Sequence, residues 1–255
     1  MKFGLNLYSL RKSIADENGF LSTAERLKVL GYDFLQFSGA PFDAEEIKRV
    51  SDNSKMPVCL THVPINRILD DTEKLIEEHA LFSCKKIGLG MLDLDDDENT
   101  VKRHIARLNE AGKVMQDRGY ALCYHNHNYE FFKNSDGVTW FDYILKNAPF
   151  VHFTIDVYWV QYGGAPIDEV LKKAQGRVDC VHLKDYKTEL KNGVFVPVFA
   201  PVGDGNINFD RVIRAAKDAG TEYFIVEQDD ACFYPDPFSE VGKSIKYLKE
   251  NFCYE

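Results

Sequence analysis

The stretch Glu98–His125, ENTVKRHIARLNEAGKVMQDRGYALCYH, holds the unit from which the fold can be read. Val101, Ile105, Leu108, Ala111, Val114 and Met115 recur at helical spacing, giving one apolar stripe and predicting a helix over Glu98–Arg118. Gly119 follows, where a residue without Cβ can take the left-handed turn that ends a helix. ALCYH, Ala121–His125, is then short and apolar, as a buried strand is.

The same alternation extends in both directions. Further strands are expected at Phe3–Leu7, Phe34–Phe37, Pro57–His62, Lys86–Leu89, Val151–Val157, Val178–Leu183 and Tyr223–Glu227. With Ala121–His125 these make eight, at roughly 25 to 35-residue spacing, the length of one strand and its crossover helix. Helices are expected over Thr23–Leu30 before Gly31, over Leu69–Phe82, from Asn208 through Ala219 before Gly220, and over Ser239–Asn251 with Ser239 as the cap. No composition break or Pro/Gly/Ser linker interrupts the series, so residues 1–255 are expected to form one domain, an α/β fold of the (β/α)₈ TIM-barrel type. The competing doubly wound sheet would want a Gly-rich phosphate loop after an early strand, and neither GxGxxG nor a Walker sequence is present.

Bulk properties narrow the function classes. Net charge is −9, and the basic residues are scattered through the expected helices, which argues against a nucleic-acid partner. No apolar run approaches a membrane span, and the start MKFGLNLYSLR lacks a signal-peptide core. The six cysteines show no CxxC spacing; four lie in apolar strand-like stretches, where a reduced thiol packs as a small hydrophobe. A cytoplasmic protein without membrane association is expected, with a homo-oligomer left open.

In a (β/α)₈ barrel the reactive groups lie at the C-terminal strand ends. Here the last four strands end in polar residues that an apolar strand does not need. Side chains alternate faces along a strand. His152, Thr154 and Asp156 therefore share one face, Cys180, His182 and Lys184 another, and Ile225 goes with Glu227. Cys123, His125 and His127 point inward by the same rule. Asp156, His182 and Glu227 at matching depth describe a mixed oxygen and nitrogen site for a divalent ion: Mn²⁺ first, with Mg²⁺, Co²⁺ or Zn²⁺ as alternatives. His62, Gln36, Asn6, Tyr8 and Trp159 are further mouth candidates, and Lys184 is costly to bury without an anion or oxygen-rich ligand. The acidic run Asp93–Glu98 reads as a solvated loop and helix start.

These strand ends carry a resemblance. Tyr124-His125-Asn126-His127 with Glu130-Phe131, Asp156 with Trp159, and His182-Leu183-Lys184-Asp185 resemble the sugar phosphate isomerase/epimerase family, with its xylose-isomerase-like barrel. His62-Val63-Pro64, Pro201-Val202-Gly203-Asp204-Gly205 and Glu227 belong to the same likeness, which spans the whole chain. The resemblance implies a metal held by an acid on strand five, Asp156, His182 and Glu227. Many members place a Glu on strand five where this chain has His125, and the nearest acid is Glu130. Glu130 is taken as the fourth ligand because a carboxylate keeps the site hard, with His125 as the alternative.

The resemblance implies isomerisation or epimerisation of a sugar or sugar phosphate by proton transfer through an enediolate. Glu227 or Glu130 would act as base, and the other, or His125, would return the proton. His62 and Lys184 would hold hydroxyls or a phosphate, His127 would face the substrate, and Trp159 would shape an apolar side. The close rival is a lyase, a dehydratase or a 3-keto-glycoside β-eliminase, in which an imidazole protonates the departing oxygen. More distant rivals are an abasic-site endonuclease and a non-catalytic sugar-binding barrel.

Overall fold

The computed structural model describes residues 1–94 and 97–253. The strands are β1 (Phe3–Asn6), β2 (Phe34–Phe37), β3 (Val58–His62), β4 (Lys86–Leu89), β5 (Ala121–His125), β6 (Val151–Asp156), β7 (Val178–Leu183), β8 (Asp185–Lys191), β9 (Val194–Ala200) and β10 (Tyr223–Val226). All but β8 and β9 close a parallel barrel in the order β1-β10-β7-β6-β5-β4-β3-β2. The single (β/α)₈ barrel expected from the sequence is thus the fold.

Helices α1 (Glu17–Leu30), α2 (Ala44–Ser54), α3 (Ile65–Asp70), α4 (Thr72–Ala80), α5 (Glu98–Asp117), α6 (Trp140–Asn147), α7 (Val157–Tyr162), α8 (Ile167–Lys173), α9 (Phe209–Asp218) and α10 (Pro237–Phe252) surround it. Local chemistry sets their ends. Asp16 caps α1 by accepting from Gly19 N, so that helix starts earlier than its apolar stripe suggests. Asp236 rather than Ser239 caps α10, with Pro237 at the first turn, where its missing N–H costs nothing. The helix expected over Leu69–Phe82 is instead two, because Asp71 takes φ −127° between α3 and α4. Of the acidic run, residues 95 and 96 lie outside the described residues; Asp97 caps α5.

Helices α2, α6, α7 and α8 and one hairpin escaped the sequence reading, although α2 and the hairpin each carry a clear local signal. Helix α2 has Asp43 accepting from Glu45 N and Glu46 N, and its buried Ala44, Ile47 and Val50 recur every three residues. The long interval before the last barrel strand holds the antiparallel hairpin β8–β9. Its turn is Asn192-Gly193, with φ 52° and 79°, the positive pair that favours Asn-Gly in two-residue hairpins.

Strand alternation divides the core. Leu122, Tyr124, Phe153, Ile155, Val181, Leu183, Phe224 and Val226 pack with the helices. Phe34, Cys59, Leu60, Cys123, Cys180 and Ile225 form a separate cluster inside the barrel. Each fully buried aliphatic or aromatic side chain contributes roughly 1.5–3 kcal/mol, so the helix-facing shell carries most of the stability. Gly4 on β1 is required here, since a Cβ would strike the Phe34 ring that fills the barrel. All six cysteines are unpaired. His152, on the inward parity of Asp156 but at the start of β6, pairs instead with Asp179 at 2.6 Å.

Candidate metal and substrate site

The inward ends of β5, β6, β7 and β10 bring four side chains together. His125 ends β5, Asp156 ends β6 opposite His182 of β7, and Glu227 follows β10. One ligand atom from each lies within 4.8 Å of all the others. His125 Nε2 is 3.5 Å from Asp156 Oδ2, His182 Nδ1 is 3.8 Å from the same oxygen, and His182 Nδ1 is 2.5 Å from Glu227 Oε2. All four residues are buried.

These same four atoms, His125 Nε2, Asp156 Oδ2, His182 Nδ1 and Glu227 Oε2, are buried without a hydrogen-bond partner. Their sister atoms on three of the residues are occupied. His125 Nδ1 donates to Gly90 O at 3.0 Å, His182 Nε2 donates to Gln36 Oε1 at 2.6 Å, and Asp156 Oδ1 accepts from Trp159 N at 3.0 Å. A neutral ring so bonded keeps its one N–H outward and presents a lone pair inward, as metal-bound histidines do. Buried ligand atoms converging without hydrogen bonds are costly unless positive charge offsets them, and a cation between them would add to what Lys184 Nζ supplies at 3.4 Å from Asp156 Oδ2. Two imidazoles and two carboxylates suit Mn²⁺, Co²⁺ or Zn²⁺, so the residues present fit a divalent ion.

Glu130 is not part of this group. Its Oε1 accepts from the Tyr124 hydroxyl at 2.8 Å and its Oε2 from His127 N at 2.7 Å, fully buried. The structure thus sets His125, not the expected Glu130, beside Asp156, His182 and Glu227. The reason is alternation: Tyr124 points toward the helices, and Glu130 follows it there.

Electrostatics couple the group. Burial opposes charge on His182, but the Glu227 and Asp156 carboxylates outweigh it and push the ring up to about 9. Burial would raise Asp156 and Glu227, yet Lys184 and the histidines hold both below the usual carboxylate range. Lys184 is itself buried, 2.8 Å from Asp229, 3.4 Å from Asp156 and 3.9 Å from Glu227, and these three carboxylates keep it charged. Burial raises Glu130 to about 7 despite its two donors.

A cavity of about 470 Å³ opens onto the group, with His62, His127, Lys184, Glu227 and Asp229 on its wall. Burial, with help from His125, lowers His127 to about 3, and burial likewise keeps His62 neutral. The Tyr129 hydroxyl meets His127 Nδ1 at 3.0 Å and the two rings stack. Trp159 flanks the wall, its ring centroid 5.0 Å from Lys184 Nζ and 5.5 Å from that of His127. Asp229 was missed from sequence, although it sits two residues beyond Glu227 in a run of polar residues. A larger groove of 650 Å³ lies outside the barrel between α8 and α9, far from this chemistry. Asp185, of the His182–Asp185 motif, is structural: its carboxylate accepts from Gly203 N, Gly205 N and Ile207 N and anchors the loop after β9.

Fold and site together define a (β/α)₈ barrel with a buried group at its mouth that could hold a divalent ion. The chain belongs to the xylose isomerase-like TIM barrel family, whose model matches residues 24–251. An inosose dehydratase of Clostridium perfringens strain 13 is 29% identical, over 93% of this chain and 91% of that one. The match to its counterpart in C. perfringens strain ATCC 13124, also 29% identical, covers 56% of this chain, which there spans only 52% of the relative's length. Among solved structures, a sugar phosphate isomerase/epimerase from Parabacteroides distasonis superposes with TM-score 0.82 at 22% identity, covering 100% of this chain and 95% of that one. A xylose isomerase-like TIM barrel protein from Mycobacterium smegmatis in complex with magnesium gives 0.72 at 16%, covering 98% and 95%. An L-ribulose 3-epimerase gives 0.72 at 12%, covering 98% and 94%. At these identities the structures share the fold. Among the described residues no helix is long and apolar enough to cross a membrane.

Proposed function

We propose that this protein is a divalent-metal lyase that removes water, or another oxygen leaving group, β to the carbonyl of an unphosphorylated keto-polyol. The observation that carries this reading is the position of Glu130. Epimerisation through an enediolate, the first expectation from sequence, pairs Glu227 with Glu130 or His125 as acid and base, but Glu130 is held away by Tyr124 and the His127 amide, and His125 stands in the candidate ligand group. Among the described residues Glu227 is the one glutamate on the cavity wall, which it shares with three imidazoles, Lys184 and Asp229. The dehydratase relatives support the same outcome.

A divalent ion held by His125, Asp156, His182 and Glu227 would polarise the substrate carbonyl and acidify the adjacent C–H. Among the described residues His62 and His127 are the cavity imidazoles outside the ligand group; His127 is half-buried and neutral, and Tyr129 steadies its Nδ1. It accepts the α proton; the C–H pair becomes the new C=C bond as the β C–O bond breaks. The imidazolium then gives its proton to the departing oxygen, so the products are an enone and water. Lys184 and Asp229, 2.8 Å apart, bind neighbouring hydroxyls of the polyol.

The missing phosphate follows from charge. Lys184 is the one Lys or Arg side chain on the cavity wall among the described residues, and three carboxylates already surround it. A dianionic group would find no unspent cation there.

The second reading, epimerisation, keeps the same proton abstraction and is favoured by the epimerase among the structural neighbours. The two separate when the metal-loaded protein is incubated in D₂O with inososes and with keto-sugars, phosphorylated and not. Loss of water with a conjugated, ultraviolet-absorbing product supports the lyase. Deuterium entering a product that keeps all its oxygens means epimerisation. Tight binding with neither change would withdraw both readings in favour of a binding protein.

A further inference from the structure

The proton positions around the metal group can be followed outward from one ring. His182 Nδ1 faces the ligand group, so the neutral ring carries its hydrogen on Nε2. That N–H meets Gln36 at 2.6 Å, so the Gln36 atom there is the amide oxygen. The amide nitrogen then faces the other way, where His62 Nε2 lies 3.1 Å off. An NH₂ group only donates, so His62 Nε2 must accept. A neutral imidazole accepting at Nε2 carries its hydrogen on Nδ1.

His62 lines the substrate cavity, and its Nδ1 makes no hydrogen bond among the described residues. Gly90 makes room for it: a Cβ at that position would come within 2.8 Å of His62 Nδ1. Gln36 is fully buried at the inward end of β2 and bridges the barrel interior from β7 to β3. A carboxylate at position 36 would accept from both rings and reverse the polarity of His62.

We propose that Gln36 is a positioning residue whose amide locks His62 as a hydrogen-bond donor through Nδ1–H, directed at a substrate oxygen. His62 is then the donor that stabilises negative charge developing on that oxygen, and the proton acceptor must be another group. This rests on the proposed metal set and carbonyl chemistry.

The test is a long-range ¹H–¹⁵N correlation spectrum of the histidine rings in the full chain loaded with diamagnetic Zn²⁺, with His62 assigned by the signals lost in His62→Phe. The expected wild-type spectrum has His62 protonated at Nδ1 and hydrogen-bonded at Nε2. In Gln36→Glu the His62 proton moves to Nε2 while bound metal stays at the wild-type level. Both kcat and kcat/KM then fall by about 100-fold, as for loss of one transition-state donor. Gln36→Met, which bridges nothing, leaves His62 in mixed tautomers with an intermediate loss. A wild-type His62 protonated at Nε2 overturns the proposal, whatever the variants do. So does a reversed tautomer in Gln36→Glu with kcat unchanged. If the wild type turns over no keto-polyol, the lyase reading fails, and the spectra still decide the Gln36–His62 polarity.

Discussion

The Tyr124 hydroxyl donates to Glu130 Oε1 at 2.8 Å on the face of β5 opposite His125. Adjacent residues of one strand thus serve two regions: Tyr124 holds a buried acid among the helices, while His125 turns its lone pair into the barrel. The choice of His125 over Glu130 as the candidate strand-five ligand follows from this pair.

Replacing each candidate ligand separates them. His125→Ala should cost more in metal affinity than the ~10–100-fold typical of losing an outer-shell partner, whereas Glu130→Gln should keep about one ion per chain. Elemental analysis after gel filtration reads both. A Glu130→Gln protein stripped of metal would restore Glu130 to the ligand set.

Glu130 also predicts a pH dependence. Its folded-state pKa is about 7 against 4.5 for an ordinary glutamate, so between those values the folded chain binds more protons than the unfolded one. Stability should therefore fall as pH rises from 4.5 through 7 and level off above, by about 3 kcal/mol at most for this group. Urea unfolding of the metal-free chain at pH 5 and pH 8 should show that loss in the wild type and a smaller one in Glu130→Gln.

His182 acts in the same sense at higher pH, through ion pairing rather than burial. In the metal-free chain its pKa is raised to about 9 by Glu227 and Asp156, against burial. Its contribution to stability is complete below 6.5 and lost as pH rises through 9. A metal ion needs the neutral ring, so binding at pH 7.5 should release about one proton. Titration calorimetry in buffers of different ionisation enthalpy measures that number, and zero release would remove His182 from the ligand set.

Lys184 neutralises Asp156, Glu227 and Asp229 in a buried setting. Lys184→Met should destabilise the metal-free chain by about 3–5 kcal/mol, since the carboxylates are left uncompensated. Saturating Mn²⁺ should recover part of that loss by replacing the missing positive charge. Denaturation with EDTA and with Mn²⁺ compares the two, and equal losses would mean that the ion binds elsewhere.

How far a residue could be read from sequence depended on the range of the interaction that places it. The apolar stripe of α5 and the strand after Gly119 are local patterns, set by backbone periods of 3.6 and 2. Alternation alone put Asp156, His182 and Glu227 inside, and it explains why Cys123, Cys180 and Ile225 share the barrel interior below them. The hairpin around Asn192-Gly193 and the capped helix behind Asp43 were equally local, and attention to their turn and cap residues would have found them.

Glu130 and Gln36 were not legible in that way. Glu130 lies five residues beyond His125, near enough to fold back into the metal group or away from it, and only the packing of Tyr124 beneath the helices selects the outer side. Gln36 and His182 are 146 residues apart, and their hydrogen bond exists because barrel closure brings β2 and β7 to face each other across the interior. The sequence by itself determined the eight-fold alternation and the inward parity of its strand ends, because both come from the geometry of a single chain segment. Which inward atoms meet, and which are left with lone pairs for a metal, was decided only when closure fixed distances between segments that share no local pattern.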